Sequence, residues 1–139
     1  MRTALDTNVL SALWSNESAA SRISSQLAEA HAQGGLVICA PVYAELLAHP
    51  SANQRFVDDF LGETGIAVDF DLGEDTWRLA GKRFGVYAQR RRRSGGGVAK
   101  RLLVDFIVAA HAVSNADHLM TLDASRYERD FPQLRIMLP

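Results

Sequence analysis

Cysteine is almost absent: Cys39 stands alone among 139 residues. No intramolecular disulfide can form, so a reducing, cytoplasmic setting is the expectation. Long apolar runs are missing too. None approaches the ~20 residues that would cross a bilayer, and Met1-Arg2-Thr3-Ala4-Leu5-Asp6 has no signal-peptide core, so no membrane partner is expected. There are no internal repeats and no interdomain linkers. His31, His49 and His118 have no metal-ligand spacing. No Gly-x-Ser-x-Gly elbow marks a serine hydrolase.

What remains is the make-up of one globular domain covering 1–139, with 47% hydrophobic and 22% charged residues. A chain of this size buries about two-thirds of its unfolded surface and needs no staple to fold. The net charge of −1 argues at face value against a nucleic-acid partner, but it hides a segregation. Thr76 to Val104 contains no acid, yet holds Arg78, Lys82, Arg83, Arg90, Arg91, Arg92, Arg93, Lys100 and Arg101. Such clustering says more about partners than the total does.

Short apolar runs alternate with helical patterns. Strands are expected at Thr3–Leu5, Leu36–Cys39, Ile66–Phe70, His118–Leu122 and Leu134–Leu138. Helical spacing covers Val9–Trp14, Glu17–Gln33, Val42–Ala48, Gln54–Glu63, Leu103–Ser114 and Ser125–Asp130. A long helix starts near Gly73-Glu74-Asp75, carries Trp77, Ala80, Phe84 and Tyr87 as its apolar stripe, and runs into Arg90–Arg93. Ser94-Gly95-Gly96-Gly97 reads as a loop. The alternation predicts an α/β fold with a mainly parallel sheet and helices on both faces. Sites in such sheets form outside the carboxyl ends of the strands.

Four acids stand out. Asp6 and Asp123 close the first and fourth strands, Glu45 lies inside Val42-Tyr43-Ala44-Glu45-Leu46-Leu47, and Asp105 interrupts Leu102-Leu103-Val104-Asp105-Phe106-Ile107-Val108. Each also has an ordinary explanation. Asp6, Asp105 and Asp123 could cap helices, and Glu45 could be a solvated helix residue. Together they suggest a site. Carboxylates about 5 Å apart repel by roughly 3 kcal/mol per pair at an effective dielectric of about 20, which a fold tolerates only with protons or cations. Oxygen-only donors suit a hard divalent ion, and such an ion can activate water against a phosphodiester.

Leu5-Asp6-Thr7-Asn8-Val9-Leu10, Tyr43-Ala44-Glu45-Leu46, Asp105-Phe106-Ile107-Val108-Ala109-Ala110-His111-Ala112 and Thr121-Leu122-Asp123 resemble the four motifs of PIN-domain ribonucleases. Among these the chain is most similar to the VapC toxins of toxin–antitoxin pairs. The likeness spans the chain with the motifs in order, and Arg90 to Arg101 matches the family's basic, glycine-containing segment. It implies a three-layer α/β/α sandwich and Mg²⁺- or Mn²⁺-dependent endonucleolytic cleavage of RNA such as tRNA or rRNA. By this resemblance Asp6 and Asp105 bind metal directly, Glu45 binds directly or through water, and Asp123 fills the most variable fourth position. Thr7, Asn8 and Thr121 orient carboxylates or water. An antitoxin partner and a homodimer are implied as well, with the first two helices and the Gln54–Glu63 helix as surfaces.

Arg90, Arg91, Arg92, Arg93, Lys100 and Arg101 are the expected RNA-steering cations, since guanidinium groups hold phosphates bidentately. A charged helix end is the plainer reading of the same run. A haloacid-dehalogenase-type phosphatase is disfavoured, because Asn8 stands where its second Asp would be needed. A noncatalytic RNA- or protein-binding module remains the alternative from another class. His111 reads as structural, Cys39 as a small buried hydrophobe, and the tryptophans as core or interface residues.

Overall fold

The computed structural model describes residues 1–96 and 101–139. Lys100, expected to meet RNA, and Gly97 of the glycine loop lie outside the described residues. The strands are β1 (Arg2–Leu5), β2 (Gly35–Cys39), β3 (Ile66–Asp69), β4 (His118–Met120) and β5 (Ile136–Met137). The helices are α1 (Thr7–Trp14), α2 (Ala20–Gln33), α3 (Ala40–Leu46), α4 (Gln54–Thr64), α5 (Glu74–Arg93), α6 (Leu103–Asn115) and α7 (Ser125–Glu128).

All strand pairs are parallel, in the order β3-β2-β1-β4-β5. Parallel pairing requires a crossover after each strand, which the helices supply. α2 packs on β1 and β2, while α6 packs on β1 and β4 and along α5, giving the α/β/α arrangement. The chain builds outward from β1 to β3, then restarts on the other side of β1 with β4. The crevice between the carboxyl ends of β1 and β4 is therefore a topological switch point.

The buried side chains form one cluster. It includes Leu5 from β1, Val9 and Leu10 from α1, Val37 and Ile38 from β2, Phe106 and Ala109 from α6, and Leu119 from β4. Leu36-Val37-Ile38-Cys39 is buried throughout, as a strand covered on both faces must be. Cys39 is free and buried, and burial pushes its thiol pKa up to about 11. Among the described residues no helix is long and apolar enough to cross a membrane.

Several boundaries differ from the sequence expectation. α2 starts at Ala20 rather than Glu17; the preceding chain is fastened by the Glu17 N–H to the Ala12 carbonyl. Gly35 belongs to β2, opposite Arg2. Gly34 alone ends α2, and a Cβ there would fall on the Met1 backbone. β4 and β5 are shorter than expected, because pairing stops at Met120–Met137. The buried line of α5 is Thr76, Ala80 and Tyr87. Trp77 lies about 100° round the helix from Thr76 and is 51% exposed, which corrects its place in the apolar stripe. Trp14 instead makes edge contacts with His49, Phe56 and Phe60.

Gly65 ends α4 in the left-handed region at φ 69° and turns the chain into β3. A Cβ there would lie 2.5 Å from His31 Nε2. Gly65→Ala should therefore lower unfolding free energy by about 1–2 kcal/mol, measured by urea denaturation. An unchanged midpoint would show that the turn relaxes without cost.

Candidate active site

Asp6 is the centre of the site. Its carboxylate is only 4% exposed at the end of β1, where its backbone N–H still reaches the Met120 carbonyl of β4. Oδ1 accepts from the Thr7 N–H at 2.8 Å. Oδ2 accepts from the Tyr127 hydroxyl at 2.6 Å and the Thr121 hydroxyl at 2.9 Å, with the Asn8 amide farther off at 3.4 Å. Asp6 is thus the N-cap of α1 and a site residue at once; the two readings of it coexist. All four donors are neutral, and among the described residues no cation pairs with Asp6.

The residues around Asp6 form a connected frame. Asn8 bridges α1 to the end of β4, donating to Thr121 Oγ1 at 3.2 Å and accepting from the Leu122 N–H at 3.1 Å. The Thr121 hydroxyl also accepts from the Asp123 N–H at 3.1 Å. Thr7 donates to Glu45 Oε1 at 2.6 Å, tying exposed Glu45 of α3 to the residue beside Asp6. Thr7, Asn8 and Thr121 therefore sit where they can orient carboxylates.

Asp105 occupies the third helical position of α6, not its N-cap; Leu102 stands at the cap. Burial raises the Asp105 pKa, with the Asp6 charge adding and the charges of Arg126 and Arg101 opposing. Asp123 is more open, its side chain 41% exposed, and accepts from the Ser125 hydroxyl at 2.8 Å.

Two residues of the site were not foreseen from sequence. Arg126 places Nη1 3.5 Å from Asp105 Oδ1 and Nη2 3.3 Å from Asp123 Oδ2. Burial lowers its pKa, but the charges of Asp105, Asp123 and Asp6 contribute to a net rise. Tyr127 is fully buried, and burial together with the Asp6 charge raises its phenol pKa, so it is a hydroxyl donor at neutral pH. Both lie on the single turn α7, too short to show periodicity.

The acids thus gather as two pairs, Asp6 with Glu45 through Thr7, and Asp105 with Asp123 through Arg126. Among the described residues no three acids, histidines or cysteines stand close enough to grip an ion together. The chemistry of the donor set nevertheless fits a hard divalent cation, because it is all oxygen and the buried Asp6 charge has only neutral donors.

The basic segment divides into two kinds of cation. Asp130, buried at 3% side-chain exposure, accepts from Arg90 Nη2 at 3.0 Å and Arg101 Nη1 at 3.1 Å. The Arg101 guanidinium also lies over the Phe106 ring at 4.8 Å and keeps its Nε 3.9 Å from Asp105 Oδ2. Arg91 donates to the Gly96 carbonyl at 2.8 Å. Arg92 and Arg93 are exposed. His111 is structural as expected, with Nε2 2.8 Å from Asp69 Oδ2.

A PIN domain family model matches residues 3–132. The solved structure of VapBC-1 from nontypeable Haemophilus influenzae is similar, with TM-score 0.65 and 24% identity over 99% of this chain and 97% of that chain. VapBC2 from Rickettsia felis, bound to a DNA fragment from its promoter, has TM-score 0.61 and 20% identity over 99% and 98%. DNA-bound VapBC from Salmonella typhimurium has TM-score 0.62 and 20% identity over the same shares. These likenesses concern the fold. Among proteins of curated function, none matches the sequence.

The raised Asp105 pKa carries a sign for stability. The unfolded chain releases this proton near 3.8, whereas the folded protein holds it to higher pH. Stability is therefore lost as pH rises through that window, and the penalty is complete above the folded value. Asp105→Asn should raise the melting temperature of metal-free protein at pH 7, with the gain shrinking as pH falls towards 3.8. A lower melting temperature at pH 7 would show that the Arg126 and Arg101 contacts outweigh burial.

Proposed function

Because the chain belongs to the PIN domain family, we propose that it is a divalent-metal-dependent endoribonuclease and the toxin of a toxin–antitoxin pair. The observation that carries this reading is the buried Asp6 carboxylate at the switch point, held by neutral donors alone, with Asp105 and Asp123 meeting at one guanidinium beside it. Burying that much negative charge costs several kcal/mol per ion. A fold that spends stability in this way keeps the charge for a cation and for chemistry.

Asp6 and Asp105 would hold Mg²⁺ or Mn²⁺ directly, with Glu45 direct or through water and Asp123 completing the set. When bound, the ion lowers the pKa of water for attack on a phosphodiester and offsets the charge that develops in the transition state. Asp6 is fixed in orientation through Oδ2 by Thr121, Tyr127 and Asn8, and Oδ1 accepts only the Thr7 N–H among the described residues. Thr7 holds Glu45 through its hydroxyl, and Asp123 is held by its N–H to Thr121 and by the Ser125 hydroxyl.

RNA reaches these acids only if cations accompany it. Among the described residues, Arg92 and Arg93 are the exposed cations between Arg90 and Arg101 and contact phosphate in this reading. Arg90 and Arg101 are paired to Asp130 and so are not free to meet phosphate. The similarity to VapBC structures supports a cognate antitoxin as protein partner; a homodimer, a toxin–antitoxin hetero-oligomer and a cytoplasmic setting belong to the same reading. An apolar groove of about 550 Å³ between α2 and α4, lined by Leu13, Leu27, Phe60 and Ile66 among others, lies on the helices expected to face a partner.

Asp6→Asn should reduce RNA cleavage by about 100-fold or more while leaving RNA binding in place, and EDTA should abolish cleavage by the parent protein. Mapping cleaved 5′ ends after induction against this variant reads the outcome. Full cleavage by the variant would remove Asp6 from the chemistry, and no cleavage by the parent protein would leave the noncatalytic binding module instead. Exchanging Arg92 and Arg93 together for Gln should weaken RNA binding and flatten the slope of log K against log salt by about 1.4. Unchanged affinity and slope would remove both from the RNA surface.

A further inference from the structure

Arg126 stands where a cation would be expected, yet its contacts are not those of a structural ion pair. The Arg90 and Arg101 bonds to Asp130 show what such a pair looks like here: 3.0 and 3.1 Å onto a carboxylate with 3% exposure. Arg126 instead spans two carboxylates at 3.5 and 3.3 Å, with its own side chain 39% exposed. It springs from a four-residue helix with no side-chain cap, and solvent lies on one side of it. Contacts of this length hold by charge more than by aligned hydrogen bonds.

We propose that Arg126 is a resident counter-cation, which clasps Asp105 and Asp123 when no divalent ion is bound and gives up their oxygens when one binds. The proposal rests on the metal-dependent reading of the site and adds a competitor to it. The clasp removes the repulsion between the two carboxylates in the empty site and keeps them facing one another. Metal binding then has to displace it, so affinity is set below what the acids alone would give. The released guanidinium remains at the rim of the pocket.

The test compares the parent protein with Arg126→Gln and Arg126→Lys. Mn²⁺ binding is measured by calorimetric titration, and melting temperature is read with and without Mn²⁺. Arg126→Gln should bind Mn²⁺ about 3- to 10-fold more tightly. It should melt lower than the parent without the ion and gain more on adding it. Arg126→Lys, which keeps the charge but loses the fork, should fall between the two and guards against a folding defect in the Gln variant. Unchanged or weaker Mn²⁺ binding by Arg126→Gln, beside normal binding by the parent, overturns the clasp alone. A parent protein that binds no Mn²⁺ overturns the clasp together with the metal reading beneath it.

Discussion

A carboxylate withdrawn from water at the end of the central strand is the constraint on which the site depends. The buried Asp6 oxygens need donors, and these come from three places. Thr7 and Asn8 open α1, Thr121 follows β4, and Tyr127 sits on α7. A hydrogen bond to a charged group contributes about 1.5–3 kcal/mol, so three close donors offset most of a burial cost of several kcal/mol. The start of α1 adds the favourable end of its dipole. The same bonds that satisfy Asp6 join the two halves of the sheet at the switch point.

Cations are distributed by a related rule. Where a carboxylate is buried for structure, as at Asp130, arginines approach to normal bonding distance and stack on aromatic rings: Arg101 lies over Phe106, and Arg90 5.5 Å from the Tyr87 centroid. Around the four acids cation contacts are longer. Asp6 has none among the described residues, Asp105 faces Arg126 at 3.5 Å and Arg101 at 3.9 Å, and Asp123 faces Arg126 at 3.3 Å. The basic run seen in the sequence is thus partly spent on holding the end of α5 against the start of α6. Among the described residues, its outward members between Arg90 and Arg101 are Arg92 and Arg93.

The central strands were legible because each depends on local pattern. Leu36 to Cys39 is apolar without alternation and Asp6 directly follows β1, whereas β4 ends at Met120, three residues before Asp123. The misplaced Trp77 shows where pattern fails: it belongs to the first turn of α5, where nothing lies opposite to bury it, while the smaller Thr76 takes the inner position. Arg126, Tyr127 and Asp130 were illegible for another reason. Glu128-Arg129-Asp130 looks like a solvated stretch, and only the return of this segment beneath α5 and α6 buries Asp130. α7 has one turn, so no periodicity announces which of its side chains face the acids.

The pairing of the acids explains how the fold carries this charge in one place. Four carboxylates at mutual distances near 5 Å would repel by roughly 3 kcal/mol per pair at a dielectric of about 20, and by about 2 kcal/mol at 8 Å. The fold places a donor between the members of each pair. A hydroxyl separates Asp6 from Glu45 at Thr7, and a guanidinium separates Asp105 from Asp123 at Arg126. Each filler is a donor, so each replaces part of the water that burial removed. Closing the pairs around one centre would need a compact charge larger than an arginine can bring, and that is the property of a small divalent ion with oxygen ligands.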